Sequence, residues 1–473
     1  SPAYLIGSIR SLYPKLEIKG GAGVGGAGVR PHKNSINNYC YPENPEAGID
    51  LFLEKLVQET EKEHEDILEQ ADETDAVFGE LYSWYLRNPE YRSRVQKLVQ
   101  SAFAGKPEDI ISQSVAKALY GEVSPYSATR LERFAACAFA HFLQYGMKLT
   151  ERVEYEFKPM DMGNVMHEAL ESFAEEVRKR GMKWTELTEQ ERNEIADRCL
   201  DNIVADYGNT VLKSSARNEY MIERTRRILR RTVWALQKQL EQGEFQPEGF
   251  EVTFGGGRID RVDIMEDQNK VYVKVIDYKT GNTSFDLVYL YHGLQLQLMI
   301  YLDGALRVEQ KKYPDKEIIP AGVFYYNIKD PMIQEKIDAD VEAVSAGLMK
   351  ELKMNGLAQA DPELVYRMDS SLGSIPVAFN KDGSFRKNSS VADRTQFAVL
   401  GRYVRTKIEK IRSSILEGDA EVSPYELGKK NACTYCPYMT VCGFDRRLSG
   451  YEFRRLKNFS DEELWKAFDR EAE

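Results

Sequence analysis

Gly257-Arg258-Ile259-Asp260-Arg261-Val262-Asp263 and Val271-Tyr272-Val273-Lys274-Val275-Ile276-Asp277-Tyr278-Lys279 decide the fold of this chain. Each run is rich in β-branched residues and predicts a strand that carries a carboxylate, Asp260 or Asp277. Side chains alternate between the faces of a strand, so Asp277 and Lys279 project to the same side. Two carboxylates for a hard divalent cation, with a lysine to orient water, are the groups that phosphodiester hydrolysis needs. A surface hairpin with exposed charges is the alternative, because Asp-x-Lys recurs by chance.

The flanking sequence adds two further motifs in a definite order. Upstream, Gly163-Asn164-Val165-Met166-His167 opens a segment whose apolar residues recur with helical spacing. Downstream, Gln297-Leu298-Met299-Ile300-Tyr301 predicts a helix with Gln297 and Tyr301 one turn apart on one face. The chain therefore carries G-x-x-x-H, G-x-I-D, D-Y-K and Q-x-x-x-Y in that order. Any one of these motifs is weak, but the ordered set is specific.

In that order the motifs resemble the signature of the RecB-family exonucleases, a branch of the PD-(D/E)xK nuclease superfamily. The resemblance implies an α/β fold with a restriction-endonuclease-like core, a mixed sheet flanked by helices. It implies Mg²⁺ ligands at His167, Asp260, Asp277 and the backbone carbonyl of Tyr278. Lys279 would position the attacking water, and Gln297 and Tyr301 would organise the DNA and the active site. Whether Mn²⁺ substitutes for Mg²⁺ stays open.

Composition describes an ordinary globular chain. With 473 residues, 42% hydrophobic and 29% charged, it is long enough for two or three domains with ample cores. No apolar run approaches membrane-spanning length and no signal peptide opens the sequence, so we expect a cytoplasmic protein without a membrane partner.

The net charge of −11 argues against attraction of nucleic acid by the whole surface. A local basic channel remains compatible with it, because a cluster of arginines follows one predicted helix. The candidate nucleic-acid-binding residues there are Arg224, Arg227 and Arg231, with Arg226 and Arg230 between them. A solvated helix face explains the same cluster equally well.

Four of the six cysteines form a pattern typical of metal ligation. Cys433, Cys436 and Cys442 have the spacing C-x₂-C-x₅-C near the end of the chain, and Cys137 is a remote fourth thiol. Four thiolates can hold zinc or a [4Fe–4S] cluster, and zinc sites more often use two C-x₂-C pairs. The cysteines left over, Cys40 and Cys199, are expected to be buried as small hydrophobic side chains.

Local patterns in the last third predict three further elements. Asp382-Gly383 between Phe379 and Phe385 predicts a hairpin turn, and a helix is expected from about Ala392 to Leu416. Ser460-Asp461-Glu462-Glu463 is a capping-box pattern that would open a last helix.

The span from Ser124 to about Asp445 resembles the C-terminal nuclease domain of the AddB family. Such subunits pair with AddA in bacterial helicase–nucleases that repair double-strand breaks by recombination. The resemblance implies a [4Fe–4S] staple on the four cysteines, although Ala138 stands where the family usually has proline. We expect a structural role for it, because ligands from both ends of a long segment clasp that segment together.

The same resemblance predicts three regions. Residues 1–120 would be the helical end of a helicase-like region with a glycine-rich loop, Gly20–Gly28, which lacks the context of a phosphate loop. Residues 121–450 would form the nuclease domain closed by the cluster, and residues 451–473 a C-terminal helix.

The expected activity is Mg²⁺-dependent cleavage of single-stranded DNA ends from unwound duplex, on the 5′-ended strand. Two alternatives stay open. One is an iron–sulfur nuclease like those of CRISPR adaptation or of replication helicases. The other is a scaffold subunit with an inactive site, against which the intact Asp260, Asp277 and Lys279 argue.

Overall fold

The computed structural model describes residues 44–61, 73–102, 110–121, 127–150, 159–206, 215–255, 257–333, 340–448 and 450–472. The predicted loop at Gly20–Gly28 and the predicted burial of Cys40 lie outside these residues. The chain divides into two compact units, with the division between Ala104 and Gly105. None of the described helices is both long and apolar enough to cross a membrane.

The first unit is helical, as the apolar pattern predicts. Its described helices are α1 (Pro45–Glu61), α2 (Glu73–Arg87) and α3 (Pro89–Ala102). They enclose a small core in which the Phe52 and Phe78 rings stack 4.7 Å apart between α1 and α2. The assignment of this region to a helicase-like domain stays a prediction.

The second unit is built on a six-stranded mixed sheet in the order β1-β2-β3-β4-β5-β6. Its strands are β1 (Gln246–Phe254), β2 (Gly257–Asp267), β3 (Lys270–Lys279), β4 (Glu317–Asn327), β5 (Asn355–Gln359) and β6 (Val391–Ala392). β1, β2 and β3 pair antiparallel, and β3 pairs parallel with β4. A parallel pair needs a crossover connection. Here that connection contains α10 (Leu287–Tyr291) and α11 (Gln297–Lys312).

The remaining described helices of this unit cover the sheet or extend from it. Before the sheet they are α4 (Gln113–Tyr120), α5 (Ala128–Ala136), α6 (Ala138–His141), α7 (Pro159–Lys179), α8 (Glu189–Asp206) and α9 (Ala216–Glu241). After β4 they are α12 (Val341–Glu351), α13 (Pro362–Met368), α14 (Arg394–Glu417), α15 (Met439–Cys442) and α16 (Asp461–Ala472). Three short strands, β7 (Tyr425–Leu427), β8 (Lys430–Asn431) and β9 (Arg454–Arg455), form a second small sheet.

Each face of the main sheet carries its own hydrophobic core. Val271, Val273 and Val275 of β3 belong to the core that includes α5, α11, α14 and α16. Ile276 and Tyr278 belong to the opposite core, with α7, α8 and α9. Because side chains alternate along a strand, Asp277 and Lys279 lie on the face of the three valines. The sheet therefore presents both groups at the end of β3 that adjoins α11.

Several local predictions are confirmed with shifted boundaries. The helix predicted to open at Gly163 begins earlier, at Pro159, and the helix predicted from Ala392 begins at Arg394, since Ala392 pairs in β6. The predicted turn at Asp382-Gly383 connects a bridge between Phe379 and Phe385. Glu463 accepts the backbone N–H of Ser460 at 3.0 Å, as expected where α16 begins.

Candidate active site

Asp260 and Asp277 are neighbours on adjacent strands. Arg261 pairs with Ile276 in the β2–β3 ladder, so the register places Asp260 opposite Asp277. Asp277 is fully buried, and Asp260 retains 8% of its accessible surface. Burial raises the pKa of both carboxyls, and the nearby Asp277 raises the pKa of Asp260 further. The Tyr278 N–H donates to Asp260 Oδ2 at 2.7 Å and holds that carboxylate in place.

Lys279 is held between a carboxylate and an amide. Its Nζ lies 2.7 Å from Asp277 Oδ2 and donates to Gln297 Oε1 at 2.7 Å. Gln297 Nε2 in turn donates to the Tyr301 hydroxyl at 2.9 Å, across one turn of α11. The predicted pairing of Gln297 and Tyr301 on one helix face is therefore present. Through these contacts α11 fixes the position of the Lys279 ammonium.

His167 reaches the same site from α7. Its Nδ1 lies 3.4 Å from Asp260 Oδ2, and the ring contacts Tyr278 edge-to-face. Burial lowers the pKa of His167, which favours the neutral imidazole, the form that ligates metals. The structure thus brings together His167, Asp260, Asp277 and Lys279, although His167 is far from the others in the chain.

Glu251 on β1 is a site residue that the sequence reasoning missed. Phe250 pairs with Arg261 and Val252 with Ile259, so Glu251 stands opposite Asp260. Its Oε1 lies 3.9 Å from His167 Nδ1, and ligand atoms of Glu251, His167 and Asp260 lie within 4.8 Å of one another. Burial raises the pKa of Glu251. No motif marks Glu251; only the strand register could have identified it.

The donor set fits a hard divalent cation. Three crowded carboxyls, on Glu251, Asp260 and Asp277, have raised pKa values, and a cation among them would favour their charged forms. Asp277 Oδ1 is buried and accepts no hydrogen bond from the described residues. Oxygen ligands with one imidazole suit Mg²⁺ or Mn²⁺. The predicted part of the Tyr278 carbonyl in metal binding stays a prediction.

Glu132 on α5 is a second residue without an assigned role in the sequence reasoning. Its Oε1 accepts the backbone N–H groups of Leu296 and Gln297, at 2.7 and 3.0 Å, where α11 begins. Burial raises the pKa of Glu132 to about 7, partly offset by those two hydrogen bonds and by Lys279. Glu132 therefore supports the helix that holds Lys279. Its neighbours in sequence carry no pattern that indicates this partner.

The four predicted cluster ligands line one small cavity. Cys137, Cys433, Cys436 and Cys442 surround it together with apolar side chains, and none of them is in a disulfide. Burial raises the pKa of Cys433 to about 12, with further increases from the other three thiols. A positive centre among them would reverse that effect, so the residues fit a metal or cluster. Cys199 is buried in the α7–α9 core, as predicted.

The arginines of α9 make ion pairs with neighbouring acids. Arg227 Nε lies 2.6 Å from Asp330 Oδ2, and Arg226 lies 2.7 Å from Asp201. Arg231 stacks over the Trp234 ring, and Arg224 is exposed. A nucleic-acid role for Arg224, Arg227 and Arg231 stays a prediction.

Other charged residues close to the site have structural partners. Asp263 is fully buried between Arg261, at 2.5 Å, and Lys274, at 3.0 Å, on the opposite face of the sheet. His141 is buried and its Nε2 accepts from Arg130 Nε at 3.2 Å; burial lowers the pKa of His141 to about 3. These contacts give Asp263 and His141 structural roles outside the metal site.

Comparison with known families supports this arrangement. The sequence model of the PD-(D/E)XK nuclease superfamily matches residues 125–443, which include every candidate metal and cysteine ligand.

Curated relatives cover the chain from end to end. The chain is 38% identical over 495 residues to the AddB subunit of the ATP-dependent helicase/deoxyribonuclease of Lachnoclostridium phytofermentans, covering 100% of the chain and 40% of that protein. It is 30% identical to the subunit of the same name from Clostridium acetobutylicum, over 99% of the chain and 41% of that protein. The chain thus spans about two fifths of the length of these relatives.

Proposed function

The chain belongs to the PD-(D/E)XK nuclease superfamily, and from that premise we propose that it is a divalent-metal-dependent deoxyribonuclease. The observation that carries the proposal is the position of Lys279. Its ammonium lies against Asp277, a buried carboxylate whose other oxygen accepts no hydrogen bond from the described residues, and is fixed there by Gln297.

His167, Asp260 and Asp277 would hold Mg²⁺, with Glu251 close enough to complete the set. Bound there, the cation would neutralise charge on the scissile phosphate and lower the pKa of a water molecule. The raised pKa values of the carboxyls support this proposal, because a bound cation would stabilise their charged forms.

The protein's own groups would orient the reaction. An ammonium has three hydrogens, and two of those on Lys279 are directed at Asp277 and Gln297. The third remains to hold water or a phosphate oxygen. Asp260 cannot rotate away, since the Tyr278 N–H binds it. Water would attack phosphorus as the P–O ester bond breaks, with the positions of Lys279 and Asp260 set before substrate arrives.

The substrate and assembly proposed are those of a helicase–nuclease. The relatives are named subunits of an ATP-dependent helicase/deoxyribonuclease, and this chain corresponds to part of their length. We therefore propose that it cuts single-stranded DNA produced by unwinding, on the 5′-ended strand, beside an AddA-type subunit during break repair. The arginines Arg224, Arg227 and Arg231 would contribute backbone contacts.

A [4Fe–4S] cluster on Cys137, Cys433, Cys436 and Cys442 is proposed as a structural element. Their common cavity and the raised pKa of Cys433 support a shared metal centre. Iron and acid-labile sulfide would identify the cluster, whereas zinc without sulfide would identify the alternative.

Replacing Lys279 with alanine tests the nuclease. We expect the parent chain to cleave labelled single-stranded DNA with Mg²⁺ and the variant to lose at least about a hundredfold in rate, the size expected for loss of a preorganised charged group. Time courses on denaturing gels measure it, with equal cluster absorbance as the check on folding.

The matched control is Lys270→Ala, an exposed lysine at the opposite end of β3 from Lys279. It should cleave like the parent. A folded, cluster-loaded parent that cuts no strand, alone or with an AddA-type partner, would instead indicate a binding scaffold.

A further inference from the structure

A cleft lies between the end of β1, α11 and α14, beside the candidate active site. It has a volume of about 510 Å³. On its α11 side the lining residues recur every three to four positions, from Ile300 to Lys311, so one face of the helix forms the wall. We name this space the α11–α14 cleft. The proposed chemistry does not use it.

The cleft combines apolar walls with an excess of positive charge. Its apolar lining includes Phe254, Met299, Ile300, Val404 and Ile408.

Its charged lining has three cations and one anion. Arg307 and Arg405 lie 2.7 and 2.8 Å from opposite oxygens of Asp303, one from each helix, and Lys311 lies further along α11. Arg307 and Arg405 are 67% and 52% exposed, so their remaining N–H groups are accessible. The local sign is positive although the whole chain has 64 cationic and 75 anionic residues. This contrast indicates an anionic ligand.

The cleft is joined to the active site by direct contacts. Phe254 packs edge-to-face on Tyr301, with ring centroids 5.9 Å apart. Tyr301 accepts from Gln297, which accepts from Lys279. Gly304 allows this packing, because a Cβ there would lie 2.7 Å from the Phe254 ring. From Tyr301 to Lys311, α11 extends about 15 Å, and phosphates on one strand of a duplex are about 3.4 Å apart along the axis.

We propose that the α11–α14 cleft binds the single DNA strand beyond the scissile phosphate. Arg307, Lys311 and Arg405 contact phosphates, and the apolar walls contact base faces, the combination that single-strand binding requires. Asp303 holds the two arginines in place before the strand arrives. The inference rests on the proposed nuclease function and adds the path of its substrate.

The test compares Arg307→Gln/Lys311→Gln with a control that removes the same charge elsewhere. Lys410 and Lys466 are exposed and lie outside the cleft, so Lys410→Gln/Lys466→Gln is that control. Binding of fluorescent oligodeoxynucleotides of about 4 to about 16 nucleotides is followed by anisotropy without divalent cation, so that the strand stays intact.

For the cleft variant we expect the slope of log affinity against log salt to be smaller by about 1.4, since each phosphate contact on a single strand contributes about 0.7. The loss appears only with oligonucleotides long enough to leave the active site. The control pair matches the parent.

A cleft variant with the parent's salt slope and length dependence overturns the proposal. If the parent still cleaves DNA in an Mg²⁺-dependent way, the nuclease function stands and only the strand path is wrong. If the parent neither binds nor cuts single strands at any length, the nuclease function fails and the cleft proposal fails with it.

Discussion

At the scale of single residues, Glu251 has an unusual backbone for its place in a strand. Its φ is +47°, in the left-handed region that a glutamate occupies at a cost of about 1–2 kcal/mol. Strain of this kind persists where the surrounding structure requires it, and it is concentrated at functional sites. Here it accompanies a carboxylate directed at His167, with Arg258 Nε 3.1 Å from the other oxygen. Glu251 thus serves the site at the expense of local stability.

Glu251→Asn separates these two effects. Asparagine tolerates the left-handed region, so the melting temperature should stay equal or rise. The Mg²⁺ concentration for half-maximal cleavage should increase about tenfold, since a charged oxygen next to His167 and Asp260 is lost. A metal titration of cleavage and a thermal melt measure the two quantities. Glu175→Asn, on the exposed part of α7, is the control; an unchanged Mg²⁺ requirement in Glu251→Asn would contradict the assignment.

At the scale of elements, α5 connects the cysteine cavity with the catalytic lysine. The helix ends at Ala136, next to Cys137, and Glu132 within its last turns binds the first N–H groups of α11. Those N–H groups have no partner within their own helix, and a carboxylate near them is favoured by the helix dipole. Gln297 then holds Lys279. Movement of α5 would therefore be transmitted to Lys279 through two hydrogen-bonded steps.

Glu132→Leu should lower kcat about tenfold or more with little change in KM for DNA, because Glu132 positions α11 and contacts no substrate. Loss of the capping acceptor should also cost about 1 kcal/mol of stability. Glu132→Gln keeps a carbonyl that accepts both N–H groups and should recover most of kcat. Steady-state cleavage kinetics measure the split. Equal kcat values for the leucine variant and the parent would show that α11 is positioned without Glu132.

At the scale of the whole molecule, the cysteine cavity joins segments from both sides of the main sheet in the chain. Cys137 precedes every strand of that sheet, whereas Cys433, Cys436 and Cys442 follow its last strand. A centre bound by all four would close the chain around the nuclease core, so binding free energy would become folding free energy.

Cys442→Ser should therefore lower the melting temperature by about 5 °C or more, if several kcal/mol of clasping are lost. Iron and sulfide content should fall in parallel. Cys199→Ala, a buried thiol outside the cavity, should keep the metal content and melt closer to the parent. Calorimetry and metal analysis measure both. A Cys442→Ser chain that melts like the parent would show that the cysteines do not clasp the fold.

Much of this protein was predictable from spacing along the chain. Alternation along a strand placed Asp277 and Lys279 on one face, and one helical turn placed Gln297 beside Tyr301; both relations are present. The mixed sheet with flanking helices was predicted from the family resemblance and is confirmed by the six-stranded sheet. Asp260 was predicted to share a site with Asp277, and the strand register agrees.

What the sequence by itself determined are relations between residues a few positions apart, because backbone geometry alone sets them. Tertiary structure decided the approach of Glu251 to His167, the support of α11 by Glu132, and the cleft between α11 and α14. These contacts join elements that are distant in sequence, and they depend on strand register and helix packing. A side chain carries no local mark of a partner that arrives only when the chain folds.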